Sequence, residues 1–279
     1  LGDSLTHHLE MKISLIISTY NRPDALMCVL GSLNQQDCML FEVVVADDGS
    51  TEDTKLAIDQ FREKAKYTIH HVWQKDEGFR LAQIRNKAVA KSSEEYLIFL
   101  DGDCVVFPDY ISKHIELAEL GYFVRGSRIM LSEDYTNEFI AKEIQTSDIT
   151  LGKLFQLKLG KKINRILPLA RLKLGTIRKL KKTAWYGAKG CNIAIWRSDY
   201  YAVDGFDERY VGWGREDSDI VIRLIRNNVY RKEGIYAVSV LHLWHKESDR
   251  ASLTKNDDKI AALQNSNETR AKLGLSQYL

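Results

Sequence analysis

Tyr96-Leu97-Ile98-Phe99-Leu100 runs directly into Asp101-Gly102-Asp103. Five apolar residues, dominated by aromatic and β-branched side chains and lacking a helical period, read as a buried strand. The two carboxylates at its C-terminal end then lie where open α/β sheets bind ligands. Gly102, between them, lets a phosphate approach the backbone closely. Carboxylate oxygens are hard ligands that suit Mn²⁺ or Mg²⁺ bridged to a diphosphate. Alone, such a triplet also fits a solvated turn, so its meaning depends on its surroundings.

Working outward, Lys12 to Ser18 has a strand pattern, and Pro23 suits the first turn of a helix reaching Gln36. Glu42 to Ala46 is a second apolar strand, closed by Asp47-Asp48-Gly49-Ser50. Ser50 or Thr51 is placed to cap the next helix, with Glu52 and Asp53 at its positive end. Tyr67 to Trp73 reads as a third strand and Arg80 to Lys91 as an amphipathic helix. This β-α alternation predicts an α/β fold with a doubly wound, mostly parallel sheet. No GxGxxG follows the first strand, which disfavours a dehydrogenase-type dinucleotide fold.

The 279 residues are 44% hydrophobic and carry a net charge of +2, enough apolar material for a sizeable core. The near-neutral balance hides an asymmetry. From Ile149 to Ser198 there is no acidic residue but thirteen lysines and arginines, many interleaved with leucine and isoleucine. Residues 149–183 are therefore expected to form a basic amphipathic helical insertion. Its function would be docking on an anionic membrane surface or on an anionic acceptor; solvated surface helices are the plainer reading. It holds only Phe155 as an aromatic, so a nucleic-acid groove is disfavoured. Cys28, Cys38, Cys104 and Cys191 lack metal-type spacing and read as free thiols of a reducing cytoplasm. Leu1 to Glu10 reads as an expression remnant before Met11. With no signal-peptide pattern and no apolar run near a spanning length, the expected location is cytoplasmic, with peripheral contact at the inner membrane face.

Beyond Gly121, Tyr122 to Met130 reads as a strand and Thr136 to Thr146 as a helix. Gly190-Cys191-Asn192 then precedes a strand at Ile193 to Trp196. Two further clusters carry chemistry. Gly212-Trp213-Gly214-Arg215-Glu216-Asp217-Ser218-Asp219 sets an indole in a tight loop and follows it with carboxylates at a helix start. An indole face suits the apolar face of a sugar ring, and a carboxylate there can accept a proton from a hydroxyl. Simple helix capping by Glu216 and Asp217 is the alternative. His242-Leu243-Trp244-His245 follows a strand-like Ile235 to Val240, and neutral imidazole suits Mn²⁺ better than Mg²⁺.

Taken in order, SLIISTYNRPD, VVVADDGS, EGFRLAQIRNKA, YLIFLDGDCVV, GCNIAIWR, GFDERYVGWGREDSDIVIRL and HLWHKE resemble the family 2 glycosyltransferases of the GT-A fold. The nearest subgroup has a C-terminal region like that of β-1,4-galactosyltransferases and bacterial chondroitin polymerase. The resemblance implies a nucleotide-sugar-binding half at 11–148 and an acceptor-binding, catalytic half at 184–279. It implies that Thr19, Tyr20 and Arg22 line the nucleotide pocket, with Asp48 or Asp47 on the uracil. Gly78, Arg80 and Arg85 would meet the base or diphosphate, and Asp101 and Gly102 the ribose, diphosphate or metal. Asp103 would ligate the metal with His245, or with His242 as the alternative. Trp213, Gly214 and Glu216 would bind the acceptor sugar, and Asp217 would be the catalytic base. Arg215 departs from the small residue some relatives carry there, which bears on acceptor choice.

The implied reaction is inverting transfer from a UDP-sugar, with Mn²⁺ or Mg²⁺, to a hydroxyl of a glycan or lipid-linked glycan in lipopolysaccharide or capsule synthesis. A retaining enzyme of the same fold is the nearest rival. A nucleotidyltransferase is the rival of a different class, and it lacks its expected glycine-rich loop here.

Overall fold

The computed structural model describes residues 11–247 and 249–279. The expected remnant, Leu1 to Glu10, lies outside them. A seven-stranded sheet has the order β3-β2-β1-β4-β8-β6-β9. Its strands are β1 (Ile13–Thr19), β2 (Phe41–Asp47), β3 (Ile69–Trp73), β4 (Tyr96–Asp101), β6 (Tyr122–Arg125), β8 (Asn192–Trp196) and β9 (Tyr230–Glu233). β1 pairs in parallel with both β2 and β4, whereas β8 is antiparallel to β4 and β6. A small sheet, ordered β5-β10-β7, comprises β5 (Cys104–Val105), β7 (Ser127–Met130) and β10 (Ser239–His242).

The central strands are continuously apolar because both sheet faces are covered. Leu15, Ile17, Ile98 and Leu100 pack with α1 (Pro23–Leu33) and the small sheet. Ile16, Leu97 and Phe99 point the other way, onto α3 (Leu81–Lys91) and α8 (Glu216–Arg226). Between α1 and α3 in the chain lies α2 (Glu52–Arg62); α4 is Tyr110–Leu117, α5 Glu133–Ala141, α6 Leu151–Leu159, α7 Arg197–Ala202 and α9 Leu253–Gln264. No helix of the described residues is long and apolar enough to cross a membrane.

Four expectations need correction. Tyr122 to Met130 is two strands in two sheets, broken at Gly126. There a Cβ would lie 2.2 Å from Cγ of Asn192, so only glycine lets the chain pass. The Asn192 amide donates to the carbonyls of Ser127 and Val238, and its Oδ1 accepts from Tyr110. One buried side chain thus ties the main sheet to the small one. The helix expected at Thr136 to Thr146 starts earlier and ends at Ala141, because Ser132 caps it by accepting the Tyr135 N–H. The strand expected at Ile235 to Val240 is confined to Ser239–His242, since Tyr236 has a positive φ and Arg178 holds the carbonyls of Glu233 and Ile235.

The fourth concerns residues 149–183, whose only α-helix is α6. After it come Gly160, Lys161 at φ 55° and Pro168, then short 3₁₀ turns at Leu167–Leu169 and Gly175–Lys179. The arginines help explain the irregular path, since each spends its guanidinium on backbone carbonyls. Arg165 donates to the carbonyl of Arg128, Arg171 to that of Ala237, and Arg178 to three carbonyls.

Candidate active site

The loops after β1, β2 and β4 converge at the C-terminal edge of the sheet, where the parallel order reverses beside the antiparallel β8. The first two loops are laced together: the Asn21 N–H donates to Ser50 Oγ, and the Thr51 N–H to Asn21 Oδ1. Thr51 occupies the cap of α2 without using its side chain, and Ser50 serves the neighbouring loop instead. Gly102 N–H donates to the Ser18 carbonyl at 2.7 Å, and a Cβ at Gly102 would meet that oxygen at 2.9 Å. The hydroxyl of Thr19 is buried without a protein partner beside this glycine.

Asp47 is sequestered, accepting from the Ser50 N–H and facing His71 at 2.9 Å. Asp48 accepts from the Arg80 N–H and the Gln74 amide, and burial raises its carboxyl above the usual range against those bonds. Tyr20 is half exposed, and its hydroxyl donates to Asp76. Asp76 also accepts the Gly78 N–H, and Gly49 has no Cβ because Asp76 lies against it. Asp76 was not among the expected residues. Arg22 pairs with Asp24, and Arg80 lies near Glu77, both arginines partly exposed.

The centre is Arg85, only 1% exposed. Its Nε donates to Ser18 Oγ at 3.1 Å, and its Nη2 to Asp101 Oδ1 at 2.9 Å and the Gly190 carbonyl at 3.2 Å. Nη1 lies 3.7 Å from Glu216 Oε1 and has no hydrogen-bond partner. Burial raises the Asp101 carboxyl, Arg85 opposes this, and the Asp103 charge adds to it. Asp101 therefore faces the guanidinium, while Asp103 faces the histidines.

Asp103 Oδ1 lies 3.5 Å from His242 Nε2, and Oδ2 lies 3.4 Å from His245 Nε2. Their ligating atoms all fall within 4.8 Å of one another. One carboxylate and two imidazoles at this spacing fit a Mn²⁺-like ion. Burial lowers the His242 pKa, which keeps its ring neutral and its lone pair available. The backbone fixes the cluster: Leu243 N–H donates to the Asp103 carbonyl, and β10 pairs His242 with Cys104. Both histidines lie within reach of Asp103.

Opposite stands the loop before α8. Gly212, Gly214 and Arg215 all have positive φ, at 76°, 100° and 82°. The buried Asn256 of α9 holds the loop through the carbonyls of Val211 and Gly214. Trp213 lies under Arg250, whose guanidinium is 5.0 Å from the ring. Asp217 is half buried, and its Oδ2 accepts the Gly190 N–H at 3.3 Å. Glu216 is buried, and one of its oxygens has no partner. Burial, reinforced by the Asp217 charge, pushes its carboxyl up to about 7. Asp219 is no free base, because Arg223 pairs with it in the core. Asn86, also unanticipated, fastens the region by bonding Phe206, Glu208 and Tyr200.

Residues 14–172 match the family described as glycosyl transferase family 2, and residues 176–239 one described as the N-terminal domain of galactosyltransferase. Validoxylamine A glucosyltransferase of Streptomyces hygroscopicus subsp. jinggangensis is 28% identical over 91% of this chain and 61% of its own. Chondroitin synthase of Escherichia coli is 29% identical over 78% of this chain and 33% of its own. The chain thus spans less than two thirds of these curated relatives. Among solved structures, a mannosyltransferase from Pyrobaculum calidifontis, in complex with GDP-Man and Mn²⁺, superimposes with a TM-score of 0.61 at 17% identity. It covers 90% of this chain and 64% of its own. Staphylococcus aureus TarS in complex with UDP gives 0.60 at 15%, covering 96% of this chain and 68% of its own. The chain belongs to glycosyl transferase family 2 and has the GT-A fold.

Proposed function

We propose that the protein transfers a hexosyl or N-acetylhexosaminyl unit from a UDP-sugar to a hydroxyl of a glycan acceptor, with inversion and with a divalent metal. The observation that carries this reading is that one buried arginine bridges the donor side to the acid pair. Arg85 bonds Asp101 of the triplet and the Gly190 carbonyl, while the Gly190 N–H bonds Asp217. The UDP complex of the similar TarS fold supports UDP as the nucleotide.

Asp103, His242 and His245 would hold the metal, which when bound would neutralise charge on the leaving diphosphate. The protein's own work is positional and protolytic. Asp217 takes the acceptor hydroxyl's proton as that oxygen forms its bond to the anomeric carbon. The bond from that carbon to the diphosphate oxygen breaks on the opposite face, and UDP leaves with the electron pair. One displacement inverts the centre. Glu216, buried and raised to about 7, is the weaker candidate for the base, and the half-buried Asp217, open to the acceptor side, is the one proposed. The unpartnered Glu216 oxygen suits a sugar hydroxyl. Family membership removes the nucleotidyltransferase alternative.

The relatives include chondroitin and hyaluronan synthases, which supports a polysaccharide acceptor, and assembly of a bacterial surface glycan such as lipopolysaccharide or capsule is the role proposed. The decisive experiment is UDP release across a panel of UDP-sugars with Mn²⁺ present, followed by NMR of the product. Strong release from one UDP-sugar and a β-anomer from an α-linked donor are expected. A retained anomeric configuration would overturn inversion.

A further inference from the structure

Helix α6 buries Leu154 and Leu157 in the core, yet its other apolar residues face outward. Leu151, Phe155 and Leu159 are 72%, 63% and 81% exposed. Spaced four apart, they form one stripe along the helix. A contiguous exposed stripe of this kind marks a contact surface rather than a scatter of single residues.

Charge says what it contacts. Lys158 and Lys161 border the stripe and its C-terminal end, both exposed, and neither is ion-paired among the described residues. Lys162 and Lys179, by contrast, are spent on Glu138 and Glu119. A second copy of this basic face would be repelled, whereas anionic headgroups over an apolar layer match both features.

Location gives the contact a purpose. Just past α6, the Lys162 carbonyl accepts the Ser132 N–H, and the Leu131 N–H donates to the carbonyl of His242. The stripe is thus fastened, through two backbone bonds and the residue between them, to the metal cluster.

We infer that the Leu151–Phe155–Leu159 face of α6 seats the protein on an anionic lipid surface, with the active-site mouth beside it. The claim is independent of the donor and of the anomeric outcome, which UDP release reports separately.

The test is co-sedimentation with phosphatidylglycerol–phosphatidylcholine vesicles and with phosphatidylcholine alone, at low and high salt. The full chain should bind the mixed vesicles and lose much of that binding at high salt. The triple variant L151S/F155S/L159S should lose binding by about tenfold or more. K158E/K161E should lose the preference for anionic vesicles. All three positions in the triple variant are exposed, so circular dichroism and UDP release should stay at wild-type levels. Equal sedimentation of wild type and triple variant, or no binding by either, overturns the inference. A wild-type dimer that the triple variant abolishes would assign the stripe to self-association instead.

Discussion

Arg85 meets Asp101 at 2.9 Å with its guanidinium almost wholly buried, and the same group faces Glu216 at 3.7 Å. A planar fork with fixed donors can do this, and a lysine ammonium cannot. Asp101 would otherwise lack its counter-charge at the edge of a buried site, where an unpaired charge is costly. The pair therefore ties the packing of the core to the proposed site.

Replacing Arg85 should therefore show in two measurements. Arg85→Met should lower stability by about 2 kcal/mol in urea unfolding, because Asp101 loses its counter-charge and the Gly190 carbonyl its buried donor. Arg85→Lys should keep most of that stability yet lose most turnover, having lost the bonds to Ser18 and Gly190. Wild-type turnover in the lysine variant would refute a geometric role.

Metal affinity should depend on three side chains. Asp103→Ala should abolish Mn²⁺-dependent UDP binding in calorimetry, and His242→Ala and His245→Ala should each weaken Mn²⁺ by about tenfold or more. The two histidine variants should be similar, since each faces its own oxygen of Asp103 at 3.4–3.5 Å. Undiminished Mn²⁺-dependent binding in Asp103→Ala would remove the assignment.

Asp217→Asn preserves shape but cannot take a proton, so turnover should fall by about 10²–10⁴-fold. UDP affinity should hold. Unaltered turnover would pass the role of base to Glu216.

Glu216 gives a pH signature. Folded, it keeps its proton up to about 7, against an ordinary value of 4.5. Between those values the folded state binds more protons than the unfolded one, so this group's contribution falls as pH rises. Glu216→Gln should therefore match wild type near pH 4 and be more stable at pH 8, by up to about 3 kcal/mol. Urea midpoints at the two pH values decide it. Parallel pH profiles would show that Glu216 is ionised throughout.

His114 gives the same kind of signal with the opposite slope. It is fully buried against Tyr110 with neither ring nitrogen bonded, and burial holds its pKa at about 3. The unfolded imidazole gains a proton near 6.5, so stability should drain as pH falls from there toward 3. His114→Phe should flatten that loss, read as a smaller fall in melting temperature between pH 7 and 5.

The parts of the fold that were legible in the sequence are those governed by local patterning. Leu97 to Leu100 and Val43 to Ala46 lie inside strands at their expected places because burial on both faces leaves an unbroken apolar run. The triplet, the glycine-tryptophan loop and the late histidines were visible because each sits within a few residues. Asn86, which bonds the backbone of Phe206 120 residues away, leaves no such pattern. Nor does Asp76, whose partners are Tyr20 and Gly78. The basic segment misled for a related reason. Leucine–lysine alternation suggests helix, but its arginines are consumed by distant carbonyls.

Gly126 is not one of the three candidate ligands, yet it bears on how the two sheets meet. Because Asn192 fills the space a side chain would need, Gly126→Ala would displace Asn192 and strain the joint leading into β7, which pairs with the strand carrying His242. If the cluster holds an ion as proposed, its affinity would be open to tuning at a position that ligates nothing. A chain diversifying its choice of ion or donor could do so by shifting this joint, with every acidic and imidazole group left unchanged.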